Sequence, residues 1–399
     1  METAGTTGEG MRRANLSRVL RLVHEQGPLS RAVLTDRTGL NRSTIAALVG
    51  DLADAGLVVE GAAEALGRVG RPSPQVTAAR DVVAIAVNPE VDAVTIAAIG
   101  LDLGVVARDR IEGDALIDAA GVADLVAEQI RTWRGGALAT CRIAAVGIAV
   151  PGLVSASDGL VRRAPHLEWT DAPLREQVAR ATHLATVIDN DATLGALAEH
   201  LSGAGRGARD LVYVNGGASG IGAGLVIGDR LVRGAGGYAG ELGQNRPGIV
   251  AAGDRRSGPG GVLEDEVSRA RLLAAVGLQA GDEQTLEAAI HAAIAAGGVE
   301  VRDEVERQRR ILATALANVV NVLNPSAVVL GGFLATLLGY DADGLLADVA
   351  TEAMAMNAED LQILPAALGP DRLLVGAAEM AFAALIDDPL GVEIEARRA

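Results

Sequence analysis

The sequence contains no lysine, so every one of its basic residues is an arginine. It contains a single cysteine, Cys141, which excludes an intramolecular disulfide and any cysteine-rich zinc site. It has no apolar run of membrane-spanning length free of charge or glycine. The opening METAGTTGEGMRRAN lacks the apolar core of a secretory signal. These absences together predict a cytoplasmic protein with no membrane partner. What remains is 399 residues with 49% hydrophobic and 22% charged content, enough for two or three compact units with sizeable cores.

A net charge of −16 argues against nucleic acid unless the charge is unevenly distributed. It is uneven. Before Asp81 there are ten arginines against eight acids, a local charge of +2, which leaves −18 for the rest. A weakly basic head on a strongly acidic body confines DNA binding to the head.

The head reads as three short helices and a hairpin. Residues 1–10 are Gly/Thr-rich and expected to be disordered. An apolar stripe at helical spacing follows, Leu16, Val19, Leu20 and Val23, and stops at Gly27-Pro28. Ser30 can cap a helix over Arg31–Arg37, and Gly39 makes a turn. Asn41 can cap a third helix running to about Ala55, with Ile45, Leu48, Val49 and Leu52 on one buried face. Leu57–Glu60 and Gln75–Thr77 read as strands joined by the turn Gly67-Arg68-Val69-Gly70-Arg71-Pro72. This order is a winged helix-turn-helix over residues 11–80. In that motif the start of the second helix meets base edges. The DNA-contact candidates are therefore Asn41, Arg42, Ser43 and Thr44, with Arg68 and Arg71 at the wing tip. The competing readings are a bare helix cap, a solvated arginine and a plain linker.

From Asp81 the texture changes to alternating strands and helices, an α/β pattern. Strands are expected over Val82–Val87, Val94–Ile99, Ile143–Val150 and Ala185–Asp189. Leu211–Val214 and Gly222–Ile227 read as a Gly-rich hairpin. Helices are expected over Ile117–Trp133 and Ala192–Leu201, and they dominate from Leu263 onward, broken by a strand at Ala327–Leu330.

The head segment "GPLSRAVLTDRTGLNRSTIAALVGDLADAGLVVE" resembles the repressor branch of the ROK family (repressors, open reading frames, kinases). The body resembles that family's sugar-kinase domain through five blocks in order: "VGIAVPGLV", "HLEWTDAPL", "IDNDATLGALAEH", "GIGAGLVIGDRLVRGAGGYAGELG" and "NVLNPSAVVLGGFL". The resemblance implies a two-lobed, actin-like (ribonuclease H-like) fold. Its lobes are expected over 81–190 and 191–399, with the C-terminal helix returning toward the smaller lobe. It also implies a polyol site at Asn190, Asp191, Glu241, Gln244 and Glu264. Phosphoryl transfer to a sugar hydroxyl needs a carboxylate to take the proton, and Asp191 matches that base. Helix capping at Ala192 is its alternative role, and surface exposure is the alternative for the glutamates.

Three departures shape the expected function. The family's Asp-x-Gly-Gly-Thr phosphate hairpin is replaced by Ala86-Val87-Asn88-Pro89-Glu90-Val91-Asp92, in which Glu90 repels a triphosphate. Family zinc ligands are replaced by Gln244, Arg255, Ser257 and Val262, so no zinc and no other cofactor is expected, and the loop around "GDRRSGPGG" must be ordered by packing or by a ligand. Gln244 and His166 stand where the family has residues that touch the sugar, which alters selectivity. The leading expectation is a transcriptional repressor that senses a sugar or derivative without catalysis, with vestigial Asp191 as base candidate. An active sugar kinase with a DNA-binding head, and a regulator whose body only dimerises, are the alternatives. A palindromic operator and a homodimer or homotetramer complete the expected partners.

Overall fold

The computed structural model describes residues 8–61, 74–113, 115–249, 251–258 and 261–394. The wing arginines Arg68 and Arg71 lie outside the described residues. The chain forms two compact units, one of residues up to 150, 159–188 and from 377, the other of 151–158 and 189–376.

The first unit opens with α1 (Gly8–Gln26), β1 (Leu29–Ser30), α2 (Arg31–Thr38), α3 (Arg42–Asp54), β2 (Val58–Gly61) and β3 (Gln75–Ala78). Gly8–Gly10, expected to be disordered, instead forms the first turn of α1, where Glu9 complements the positive end of the helix dipole. Ser30 caps α2 through the amide of Val33, and Gly39 at φ 71° ends it. The apolar stripes of the three helices meet: Leu16, Val19, Leu20, Val23, Leu34, Ile45, Val49 and Leu52 are all buried. The strands form a three-stranded sheet in the order β1-β3-β2, one strand more than the sequence pattern offered.

The same unit continues through β4 (Val82–Pro89), β5 (Ala93–Gly100), β6 (Val105–Glu112), α4 (Ala119–Arg134) and β7 (Arg142–Val150). α4 starts at Ala119 and not Ile117 because the Asp118 side chain caps it through the amide of Gly121. After β8 (Leu153–Val154), which belongs to the second unit, come β9 (Val161–Ala164), β10 (Trp169–Ala172), α5 (Leu174–Thr182) and β11 (Thr186–Asn190). The main sheet has the order β11-β7-β4-β5-β6, with β4 parallel to β7 and antiparallel to β5.

The second unit carries α6 (Asp191–Ser202), β12 (Leu211–Gly217), β13 (Gly220–Ile227) and β14 (Arg230–Leu231). Then follow α7 (Leu263–Glu266), α8 (Arg269–Ala275), α9 (Glu283–Ala295), α10 (Val299–Leu323), β15 (Ala327–Gly332), α11 (Phe333–Tyr340), α12 (Ala342–Glu352), α13 (Ala355–Ala358) and β16 (Gln362–Pro365). The final helix is α14 (Arg372–Asp387), whose residues from Ala377 belong to the first unit. The sheet order is β14-β13-β12-β15-β16, with β12 antiparallel to β13 and parallel to β15. Each unit thus builds a sheet of the same order: an antiparallel meander of three strands, a strand added in parallel beside the first, and a further strand beyond it. Such repetition is the fold class that the ROK resemblance implies. Val212, Val214, Leu312, Leu316, Val328 and Leu330 centre the second core.

Candidate functional site

Two surfaces carry the candidate chemistry. In the head, Asn41 caps α3, its Oδ1 accepting from the Thr44 amide at 2.8 Å and from Ser43 Oγ at 2.7 Å. That oxygen is therefore committed to the helix, and Asn41 presents only its amide to a ligand. Arg42 is exposed at the first position of the helix.

Most of the head's other described arginines are engaged. Arg12 pairs with Asp51, and Arg31 with Glu60 through two contacts of 2.6 Å. Arg18 closes the carbonyls of Arg37 and Thr38, Arg80 donates to the Val105 carbonyl, and Arg13 and Arg21 pair with Asp388 and Asp387. Among the described residues of the head, Arg37 and Arg42 are the arginines whose side chains form no hydrogen bond or ion pair within the chain. The sequence reading missed Arg37. Its position at the end of α2, the helix that crosses the DNA backbone in this motif, was the available signal.

In the second unit, β11 ends and α6 begins at Asn190-Asp191. Asn190 is the cap, accepting from the Thr193 amide and donating to the Gly152 carbonyl and to Asp191 Oδ1. Asp191 is the first helical residue and accepts from the Ala192 amide at 2.8 Å. Capping by Asn190 leaves the second carboxylate oxygen of Asp191 free of any hydrogen bond within the described residues. Burial, with the like charge of Glu241 adding to it, pushes Asp191 up to about 6. Glu241 is an exposed residue, yet its carboxyl is also raised, by partial burial and then by the charge of Glu264.

Glu264 is gripped on both oxygens, by the Ile221 amide at 3.1 Å and by Gln244 Nε2 at 2.6 Å. Gln244 thus orients an acid in the position where the family resemblance places a metal-binding histidine. The glycines around these acids allow the approach: a Cβ on Gly220 would lie 2.3 Å from Glu264 Oε2, and one on Gly240 would lie 1.9 Å from the Ala223 carbonyl. Glu241 thus acts by its charge on Asp191, and Glu264 by its charge on Glu241. Asp189, which the sequence reading passed over, is 4% exposed and takes a 2.7 Å hydrogen bond from Arg233 Nε. It fixes the end of β11 and with it the pair beyond. His166 sits in a short helical turn of the first unit.

The remaining departures also have structures. Pro89 is the last residue of β4, and Glu90 accepts from Thr95 Oγ1 and faces Arg110. Arg110 also pairs with Asp92 at 2.8 Å and Glu112 at 2.7 Å, so the turn presents three acids around one cation. The positions matching zinc ligands do not fit the metal. Gln244 and Ser257 are committed to glutamates, and no described cluster of three or more His, Cys, Asp or Glu has the geometry for a metal.

The described part of the loop before α7 is instead ordered from within. Glu266 is fully buried and accepts from the amides of Arg256 and Ser257, from Ser257 Oγ and from Arg307, itself 2% exposed. Burial alone would raise the Glu266 carboxyl, but the Ser257 hydroxyl and amide, the Arg256 amide and the Arg307 charge hold it below the ordinary range. No described helix is long and apolar enough to cross a membrane.

The ROK family profile matches residues 85–384, and the MarR family profile matches residues 14–68. The chain is 27% identical over 361 residues to the xylose repressor of Caldicellulosiruptor bescii, covering 80% of this chain and 83% of that protein. It is 30% identical over 342 residues to a putative xylose repressor of a second Caldicellulosiruptor strain, covering 78% and 81%. Among solved structures it is similar to a ROK family transcriptional regulator described as a homologue of the E. coli MLC protein. There the TM-score is 0.74 at 25% identity, over 95% of this chain and 97% of that one.

Proposed function

The chain belongs to the ROK family, and from that premise we propose that it is a DNA-binding transcriptional repressor whose kinase-shaped body senses a sugar or sugar derivative without phosphorylating it. The observation that supports this reading is the Asn190-Asp191 pair at the start of α6, with the charge of Glu241 acting on Asp191 and that of Glu264 on Glu241. Carboxylates at neutral pH accept hydrogen bonds from vicinal hydroxyls, and Asn190, which donates to Asp191 and caps the helix, holds the acid in place. The acids that crowd Arg110 on the turn after β4 disfavour a nucleotide triphosphate, so the body works as a receptor. Asp191, raised to about 6, is poised as a base with no phosphoryl donor to serve. The body works without a metal, because Glu266 and Arg307 do the ordering.

Similarity to proteins named as xylose repressors makes an aldopentose the first candidate ligand. Two copies of the chain, or a dimer of dimers, present paired heads to a two-fold operator. In each head Arg42 reads a base and Arg37 holds a phosphate, with Ser43 and Thr44 as short donors beside them. Titration calorimetry of the full chain with D-xylose, D-glucose and their phosphates tests the sensing. Saturable binding lost in Asp191→Asn is the expected result. A folded chain that retains operator binding and takes none of these ligands would sink it.

A further inference from the structure

His24 is the one histidine before Asp81. It lies in the last turn of α1 and is 3% exposed. Its Nδ1 stands 2.6 Å from the Leu101 carbonyl oxygen, and its Nε2 stands 2.9 Å from Glu379 Oε2 on α14. A carbonyl only accepts, so Nδ1 carries a hydrogen. One more proton must then sit between Nε2 and the carboxyl of Glu379, on the ring or on the acid. Removing it leaves a lone pair facing a carboxylate, which is repulsive in a buried setting. Phe382 stands edge-on to the ring at 5.7 Å and shuts this contact from water.

A second anchor meets the recognition helix itself. Arg142, the first residue of β7 and 8% exposed, donates to the carbonyls of Ala55 at 3.0 Å and Gly56 at 2.5 Å, the residues that close α3. A cation there also complements the negative end of the helix dipole. Gly56 is at φ 67°, and a Cβ on it would lie 2.8 Å from the guanidinium.

We propose that His24, Glu379 and Arg142 are positioning residues for operator recognition: they fix α1 and α3 to the main sheet and C-terminal helix of their own unit, so the body sets the angle at which the head meets DNA. This rests on the DNA-binding reading above. None of the three reaches the DNA surface; they act through the helices they hold.

The joint has a built-in pH dependence. Burial alone would lower the His24 pKa, but the hydrogen bond and charge of Glu379, the Leu101 carbonyl and the charge of Glu25 raise it above the ordinary value. A raised histidine contributes stability that is complete below its unfolded value and lost as pH rises through its folded one. Of the other charges nearby, Asp102 accepts from the Gly104 amide, and Arg21 pairs with Glu25 and Asp387.

The test uses the full chain and an operator duplex selected from random-sequence DNA. Dissociation constants are measured from about pH 6 to about pH 9, where His24 is the titrating histidine of the head. The unaltered protein should lose affinity toward the alkaline end. His24→Gln should bind about tenfold more weakly near pH 6 and show no such slope, and the neutral pair His24→Gln/Glu379→Gln should recover most of the loss. Arg142→Met should weaken binding at every pH. Hydrogen exchange in α1 supplies a readout without DNA and should speed up in His24→Gln. A folded His24→Gln chain with unchanged α1 exchange overturns the joint whether or not DNA is bound, and one with the original affinity and pH slope overturns its role in recognition. A chain that selects no DNA, yet shows faster α1 exchange on His24→Gln, would fail the DNA-binding reading and with it the recognition role, leaving the joint itself standing.

Discussion

Two residues bear most directly on the proposed function, Arg42 in the head and Asp191 in the body. Arg42 is exposed and free of internal partners where most head arginines are spent on acids and carbonyls. Arg42→Ala should cost about 1–3 kcal/mol of operator affinity and flatten base preference at one position, measured by fluorescence anisotropy on operator and single-base variants. Arg31→Ala, by contrast, should loosen the Glu60 contact and leave base preference unaltered. Burial raises the Asp191 carboxyl to about 6, so its contribution to stability is present below the ordinary carboxylate range and lost as pH rises through about 6. Asp191→Asn should therefore be more stable than the original at pH 8, by about 1–3 kcal/mol, with the difference vanishing below about pH 4. Urea unfolding at the two pH values checks this, and the same variant should have lost its sugar. The sequence pointed to both residues. It also offered Asn41 as the cap of α3; it could not tell that Asn190 and not Asp191 caps α6, or that Asp189 braces the pair through Arg233, because each depends on which partner is in reach.

Among the elements, those with strong apolar periodicity were legible and those stabilised by side chains from elsewhere were not. The stripes of α1 and α3 and the apolar runs of β4, β5 and β7 gave their elements away. β6 escaped because Val105–Glu112 is largely exposed and reads VVARDRIE, a charged edge strand defined by its pairing with β5. β16, four residues long, is a strand by virtue of its parallel pairing with β15. The segment leading into α7 posed a different problem. Loss of zinc ligands was plain in the sequence, whereas its replacement was not, since Arg307 lies forty-one positions from Glu266. Glu266→Ala leaves Arg307 buried with Glu304 as its remaining acid and two loop amides without an acceptor. It should cost about 3 kcal/mol and expose residues 251–258 to protease, read by thermal unfolding and limited trypsinolysis. Because the Glu266 carboxyl is held low, its contribution is present above the ordinary carboxylate range and fades as pH falls through the depressed value.

At the scale of the whole molecule, charge is distributed so that the body repels what the head seeks. With −18 on residues from Asp81 onward, the few free arginines of each head must supply the attraction. One phosphate-holding arginine per head, with heads paired as proposed, predicts a loss of affinity of about tenfold between roughly 50 and 200 mM salt, measured as the slope of binding against salt. A much steeper slope would mean that the wing arginines, or other cations, contribute heavily. The two-unit construction was legible as an α/β repeat, but the membership of the units was not. The family resemblance implied that the final helix returns toward the smaller lobe, but nothing in the residue pattern itself announces that the last residues of α14 share a unit with α1. That companionship brings the first and last described helices together, with Arg13 reaching Asp388 and Arg21 reaching Asp387. A protein whose first and last helices meet can be re-threaded: those helices joined through a linker and a new opening cut in a surface turn such as Gly228-Asp229. The order of synthesis would then change while the neighbours of every helix stay the same, and the head would be translated in the middle of the molecule it reports on.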